Sequence, residues 1–247
     1  MKLALLFMPL LLAGAAPLAA KPAAYAAVLA APARSAENRA MDEGRNPAAV
    51  LDFAGLKRGD VVADYSAGGG YYSELLAAVV GPKGKVLALE SPRFYKAEGW
   101  DKVRAAHSNV TVIASPNLDL APRSVDMVFT HLVFHDLFLP PRPQSPESGA
   151  PAPSAEHIMA NWFAAVRPGG HVIIADHVGP AGDVSQIAGS LHRIDPAAAR
   201  AAMERVGFVF ESQSDVLHRS TDDHTLRVFD PGVRGKTDRF VMKFRRP

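Results

Sequence analysis

Residues 61–77 read VVADYSAGGGYYSELLA, from Val61 to Ala77. The stretch is an apolar strand, a carboxylate at its end (Asp64), three consecutive glycines (Gly68, Gly69 and Gly70) and a helix-favouring run from Glu74 to Ala78. Inside a helix or a strand each glycine costs about 1 kcal/mol relative to alanine, so three together argue for a turn. Such a turn lets the backbone approach a ligand closely, with the N–H groups of the next helix facing it. A strand-to-helix junction of this kind is where open α/β sheets bind nucleotides and related molecules.

Outward from this turn, short apolar runs alternate with helical patterns. Strands are expected at Lys85 to Glu90, Val110 to Ala114, Val125 to Phe129, His171 to Ala175, Phe208 to Glu211 and Arg239 to Phe244. Helices are expected from Arg34 with Ser35 as cap, from Asn46-Pro47 with Asn46 as cap, over 71–80, within 91–106, over 155–166, and from Asp195-Pro196 to Val206. This order predicts an α/β fold: a doubly wound, Rossmann-like, mostly parallel seven-stranded sheet with a terminal antiparallel strand pair.

Residues 1–20 have a positive start at Lys2, an apolar run from Leu3 to Leu12 and a small-residue exit, the pattern of a signal peptide. It predicts export to a periplasmic or secreted location, with no membrane attachment after cleavage. Residues 21–33 read as a flexible arm, and 34–247 as one domain interrupted by a flexible Pro/Ser-rich insertion at 140–154. There are 27 basic and 25 acidic side chains and no basic stripe with interleaved aromatics, which excludes an electrostatic case for nucleic acid. The absence of cysteine removes disulfides, thiolate metal sites and a thiol nucleophile.

The order of motifs resembles the class I S-adenosylmethionine-dependent methyltransferases, more narrowly a poorly characterised bacterial group of them with signal peptides. The stretches that carry the resemblance are Ala67 to Tyr72, His135-Asp136, Asp176-His177, His192 to Asp195 and Gly235 to Phe240. It implies S-adenosylmethionine as cofactor, with Asp64 in the acidic position of the first motif, Gly68 and Gly70 as its second and third glycines, and Ser66 in place of the first. Glu90 matches the carboxylate that grips the ribose hydroxyls, and Asn117 or Ser115 falls in the region that meets adenine. A dinucleotide is disfavoured on the residues themselves: Ser73 stands where G-x-G-x-x-G needs its last glycine, and Asp64 would repel a pyrophosphate.

For chemistry the candidates are His135 and Asp136 after the fourth strand, His177 at the end of the fifth and His192 before the helix that follows, facing the crevice where a small-molecule acceptor would sit. A histidine with an ordinary pKa of about 6.5 suits a base at neutral pH. His131 and His135 would share a helical face and suit a metal, but a strand ends there, so no metal site is expected. Arg193 is a candidate for holding an anionic substrate group. Asp222, Asp223 and His224, like Thr237, Asp238 and Arg239, are expected to form structural ion pairs. Methyl transfer to a small-molecule acceptor is therefore the expectation. The alternative is an exported protein that binds an S-adenosyl ligand without catalysis, to which Ser66 lends weight.

Overall fold

The computed structural model describes residues 23–140 and 153–247. The leader of residues 1–20 and nearly all of the 140–154 insertion lie outside the described residues. Among the described residues no helix is long and apolar enough to cross a membrane.

Seven strands form one sheet: β1 (Val61–Tyr65), β2 (Lys85–Glu90), β3 (Val110–Ala114), β4 (Val125–His131), β5 (Val166–His177), β6 (Val209–Ser214) and β7 (Arg239–Arg245). Their order across the sheet is β3-β2-β1-β4-β5-β7-β6. The first five run parallel, whereas β7 pairs antiparallel with both β5 and β6. Insertion of a reversed β7 beside β5 separates this sheet from the dinucleotide-binding order, in which the sixth strand follows the fifth.

Nine helices accompany the sheet among the described residues: α1 (Ala23–Leu29), α2 (Ala36–Ala40), α3 (Asp42–Arg45), α4 (Pro47–Ala54), α5 (Tyr71–Val80), α6 (Ala97–Ala106), α7 (Ala155–Ala165), α8 (Val184–Leu191) and α9 (Pro196–Arg205). A 3₁₀ turn, Phe134–Phe138, follows β4. Two apolar layers form, one on each face of the sheet. Leu51, Leu75, Leu76 and Trp100 fill the first, and Trp162, Ile174, Met203 and Phe244 the second.

Several local expectations are corrected. Asn46 does not cap α4 through its side chain; it is left-handed (φ 41°) and donates to the Val216 carbonyl instead. The helix expected within 91–106 begins only at Ala97, after a turn closed by the Phe94 and Tyr95 N–H groups on the Ser91 carbonyl. Strand β5 begins at Val166 rather than His171, with an irregularity over Arg167 to Gly170, and α8 has no counterpart in the sequence reading. Within the stretch read as a loose arm, α1 sets its Tyr25 hydroxyl on the Leu51 carbonyl at 3.3 Å.

Arg193 is corrected as well. It is fully buried, with both terminal nitrogens on Asp222 (2.8 and 3.0 Å) and two further donations to the Leu226 and Val178 carbonyls. It is a structural anchor, not an anion receptor. Asp222 also accepts the Asp238 N–H, and Asp238 in turn meets His218 and His224, in keeping with the ion-pair reading for these residues; Arg239 instead donates to the Thr237 hydroxyl and the Gly44 carbonyl, and Asp223 accepts from Thr225. Removing one partner of a buried pair strands the other charge. Asp222→Ala should therefore lower stability by about 3–5 kcal/mol in urea unfolding, and the apolar pair Arg193→Met/Asp222→Leu should recover most of that loss.

Candidate functional site

The parallel register places the carboxyl ends of β1, β2, β4 and β5 along one edge. Asp64 lies level with Ala88, so Glu90 projects two residues further along its own strand. Between them the loop makes alternate left-handed residues: Ser66 (φ 55°), Gly68 (φ 60°) and Gly70 (φ 83°). Serine at a left-handed position costs about 1–2 kcal/mol. Complete burial of Leu75 and Leu76 on the helix that follows contributes about 1.5–3 kcal/mol each, enough to hold the turn.

Both carboxylates are buried and engaged. Glu90 accepts the Gly68 N–H on one oxygen and the Ser91 N–H on the other (2.8 Å). Asp64 accepts the Ser73 hydroxyl at 2.6 Å. Burial pushes the Asp64 carboxyl up to about 7, with the Ser73 hydroxyl opposing the rise and the Glu90 charge adding to it. Burial also raises Glu90, against the pull of its two N–H donors. Asn117 sits beyond β3 at the same edge, but it is exposed and its side-chain oxygen accepts the Asp119 N–H at 2.9 Å.

Further along the edge the histidines gather. Buried Asp176 accepts the His135 backbone N–H (2.6 Å), the His177 N–H (2.7 Å) and the His135 Nδ1 (2.8 Å). His135 Nε2 lies 3.3 Å from an Asp136 oxygen, and His192 Nδ1 lies 3.5 Å from the same atom. The rings of His177 and His192 stand 5.9 and 5.4 Å from that of His135, so all four expected residues converge. Burial alone would lower His135, but Asp176 and Asp136 outweigh it and hold it up to about 10. It is thus an imidazolium at neutral pH, the wrong form for a base. Burial pushes His177 and His192 below the usual range. His131 does not pair with His135: it ends β4 and packs against the Tyr72 ring, with centroids 4.6 Å apart and the planes tilted by 51°.

No protein-family model matches the chain, and no curated protein matches it. Solved structures do. A S-adenosylmethionine-dependent methyltransferase from Aquifex aeolicus is 21% identical, over 82% of this chain and 90% of that one, with a TM-score of 0.58. A second, from Mesorhizobium loti, is 14% identical over 83% and 100%, with a TM-score of 0.55. Fibrillarin from Aeropyrum pernix, with natively bound S-adenosyl-L-methionine, is 15% identical over 83% and 76%, with a TM-score of 0.52. This is the methyltransferase fold.

Several features of the methyltransferase-fold edge suit an adenosyl ligand. A carboxylate has about four lone-pair positions, so Glu90 keeps acceptor capacity for a vicinal diol beyond its two N–H bonds. A Cβ placed on Gly68 or Gly69 would meet no heavy atom within 4 Å, so this side of the loop admits close approach. Tyr72 Oη, Thr130 Oγ1 and His131 Nε2 are buried without a hydrogen-bond partner among the described residues. Unpaired buried polar atoms are costly, and these lie between the glycine loop and the end of β4. A groove of about 500 Å³ beside α4, lined by Asp42, Asn46, His218 and Arg219 among others, touches none of these residues.

A buried clamp over the first turn of α5 was missed in the sequence. Arg34 donates to Glu74 (2.7 Å) and with two nitrogens to Asp42 (2.7 and 2.8 Å), and the Tyr71 hydroxyl donates to Asp42 at 2.7 Å. Arg45 stacks over Tyr71 at 4.2 Å. These partners are up to 40 residues apart, and no local pattern announces them. On the inner side of the loop, a Cβ on Gly70 would lie 2.9 Å from the Trp100 ring. Gly70→Ala should cost about 1–3 kcal/mol and shift the tryptophan fluorescence, whereas Gly69→Ala should stay within about 0.5 kcal/mol of wild type in denaturant unfolding.

Proposed function

We propose that the chain binds S-adenosylmethionine across the glycine loop and transfers its methyl group to a small-molecule acceptor. The observation that carries this reading is the buried pair Asp64 and Glu90, at the ends of adjacent parallel strands in a methyltransferase-fold sheet. The cofactor supplies an electrophilic methyl on a sulfonium sulfur. Glu90 would take the ribose diol, Asp64 the ammonium end, and Ser66, Gly68 and Gly70 the wall against which the ligand lies. The β3 end with Ser115 and Asn117 would border the adenine. His135, Asp136, His177 and His192 would line the acceptor side, where holding the attacking atom in line with the methyl supplies most of the catalysis.

The leader pattern supports export of this enzyme to a periplasmic or secreted location. Ser66 no longer favours a non-catalytic binder over an enzyme, because the serine adopts the left-handed turn that a glycine would make.

Isothermal titration tests the assignment. Wild type should bind S-adenosylmethionine one to one. Glu90→Gln should weaken binding about 10- to 100-fold, the worth of charged-acceptor hydrogen bonds of ~1.5–3 kcal/mol. Asp64 carries a proton below about pH 7 and must give it up to meet a cation. Affinity should therefore rise from about pH 6 to about pH 8, and Asp64→Asn should flatten that rise. The unliganded fold shows the opposite sign. Asp64 binds its proton more tightly folded than unfolded, so its contribution is lost as pH rises from the ordinary carboxylate value through about 7. Asp64→Asn should accordingly raise the Tm more at about pH 8 than at about pH 5. Absence of binding heat for wild type at millimolar ligand contradicts the assignment.

A further inference from the structure

We propose that His135, Asp136 and His192 form a binding site for one divalent first-row transition-metal ion, of which zinc is the type. The three donor atoms lie within 4.8 Å of one another. Two of the separations, 3.3 Å from His135 Nε2 to Asp136 Oδ1 and 3.5 Å from that oxygen to His192 Nδ1, match a tetrahedral edge. That edge is about 3.3 Å for metal–ligand bonds of ~2.0–2.1 Å. Two imidazole nitrogens and one carboxylate oxygen suit zinc and its neighbours, whereas calcium and magnesium favour all-oxygen sets.

The surroundings are built as a metal site requires. Asp176, with no exposed surface, accepts from His135 Nδ1 and so leaves Nε2 as the nitrogen that faces Asp136. This is the carboxylate–histidine–metal arrangement, in which the outer carboxylate fixes both tautomer and ring orientation. Asp176 is itself pinned by the His135 and His177 N–H groups. His192 is held from the other side: it ends α8 in a left-handed conformation (φ 55°), and its neighbour Arg193 is locked in the buried pair with Asp222. Three protein ligands leave a tetrahedral ion one position for water or a substrate oxygen, beside the proposed acceptor side.

Two features oppose loading: the ion must displace the proton that His135 Nε2 shares with Asp136, and a second contact, at His192, supplies a test. Arg227 donates to His192 Nε2 at 3.1 Å, which favours the proton on Nδ1, the atom that would meet the metal. Arg227 is exposed, and its guanidinium must swing away so that Nε2 takes up the proton. Arg227→Gln should therefore bind metal more tightly than wild type. The site needs no adenosyl ligand, so its failure would leave the cofactor reading standing.

The experiment is a titration of tag-free, chelator-stripped full chain with zinc and with cobalt(II). It should show one ion per chain, visible cobalt absorption of a nitrogen/oxygen site, and a raised Tm. Asp136→Asn and His192→Asn should each weaken binding by about tenfold or more, and asparagine tolerates the left-handed position. Circular dichroism reports whether each variant is folded, and Asp136 is exposed enough to be replaced without disturbing the core. No stoichiometric binding, or binding equal to wild type in folded Asp136→Asn, overturns the proposal.

Discussion

A carboxylate buried at the end of a parallel strand is costly unless donors meet it, and the molecule meets this constraint three times along one edge. Glu90 is met by the Gly68 and Ser91 N–H groups. Asp176 is met by two backbone N–H groups and an imidazole. Asp64 has only the Ser73 hydroxyl as donor among the described residues, too little to offset the burial that raises its pKa. The carboxylate with the least internal support is thus the one that gains most from a cationic ligand. Satisfying these charges ties neighbouring segments to the strand ends: the glycine loop through Gly68, the turn after β4 through His135, and the first turn of α5 through Ser73.

The two halves of the edge meet at Tyr72. Its ring lies 4.6 Å from both Phe129 and His131, directly after the glycine turn in sequence and against the end of β4 in space. Arg45 and Arg239 both act on His131, which burial and these charges keep neutral. Burial and the charge of Arg45 also lower Arg239, to about 10. A ligand with a negatively charged group between Asp64 and His131 would relieve the crowding of these two arginines, and the unpaired Tyr72 and His131 atoms would find partners there. The Arg34 clamp holds the first turn of α5 through Glu74.

What was legible in the sequence was local. The strand–turn–helix at 61–77, the alternation of strands and helices, and the placement of chemistry after strand ends all follow from short-range periodicity and glycine preference. The convergence of His135, Asp136 and His177 followed from topology, because strands that run parallel deliver their carboxyl ends to one edge, and His192 joins them from the end of α8. What failed was set by distant contacts. Arg193 looked like a substrate arginine because nothing near it reveals Asp222, 29 residues on. Asn46 had the residue type of a cap, yet the Val216 carbonyl, 170 residues away, claims its amide. His135 has the residue type of a base, but two carboxylates hold its proton, and only the fold brings Asp176 beneath it.

The central claim is that the edge framed by Asp64 and Glu90 is the adenosyl site. A crystal structure with S-adenosylhomocysteine tests it most directly. The account predicts both ribose hydroxyls on Glu90, the ammonium toward Asp64 and the sulfur facing the Tyr72–His131 end of the loop. Ligand bound elsewhere, as in the groove between Asp42 and Arg219, with the Gly68–Glu90 contact untouched, would contradict it.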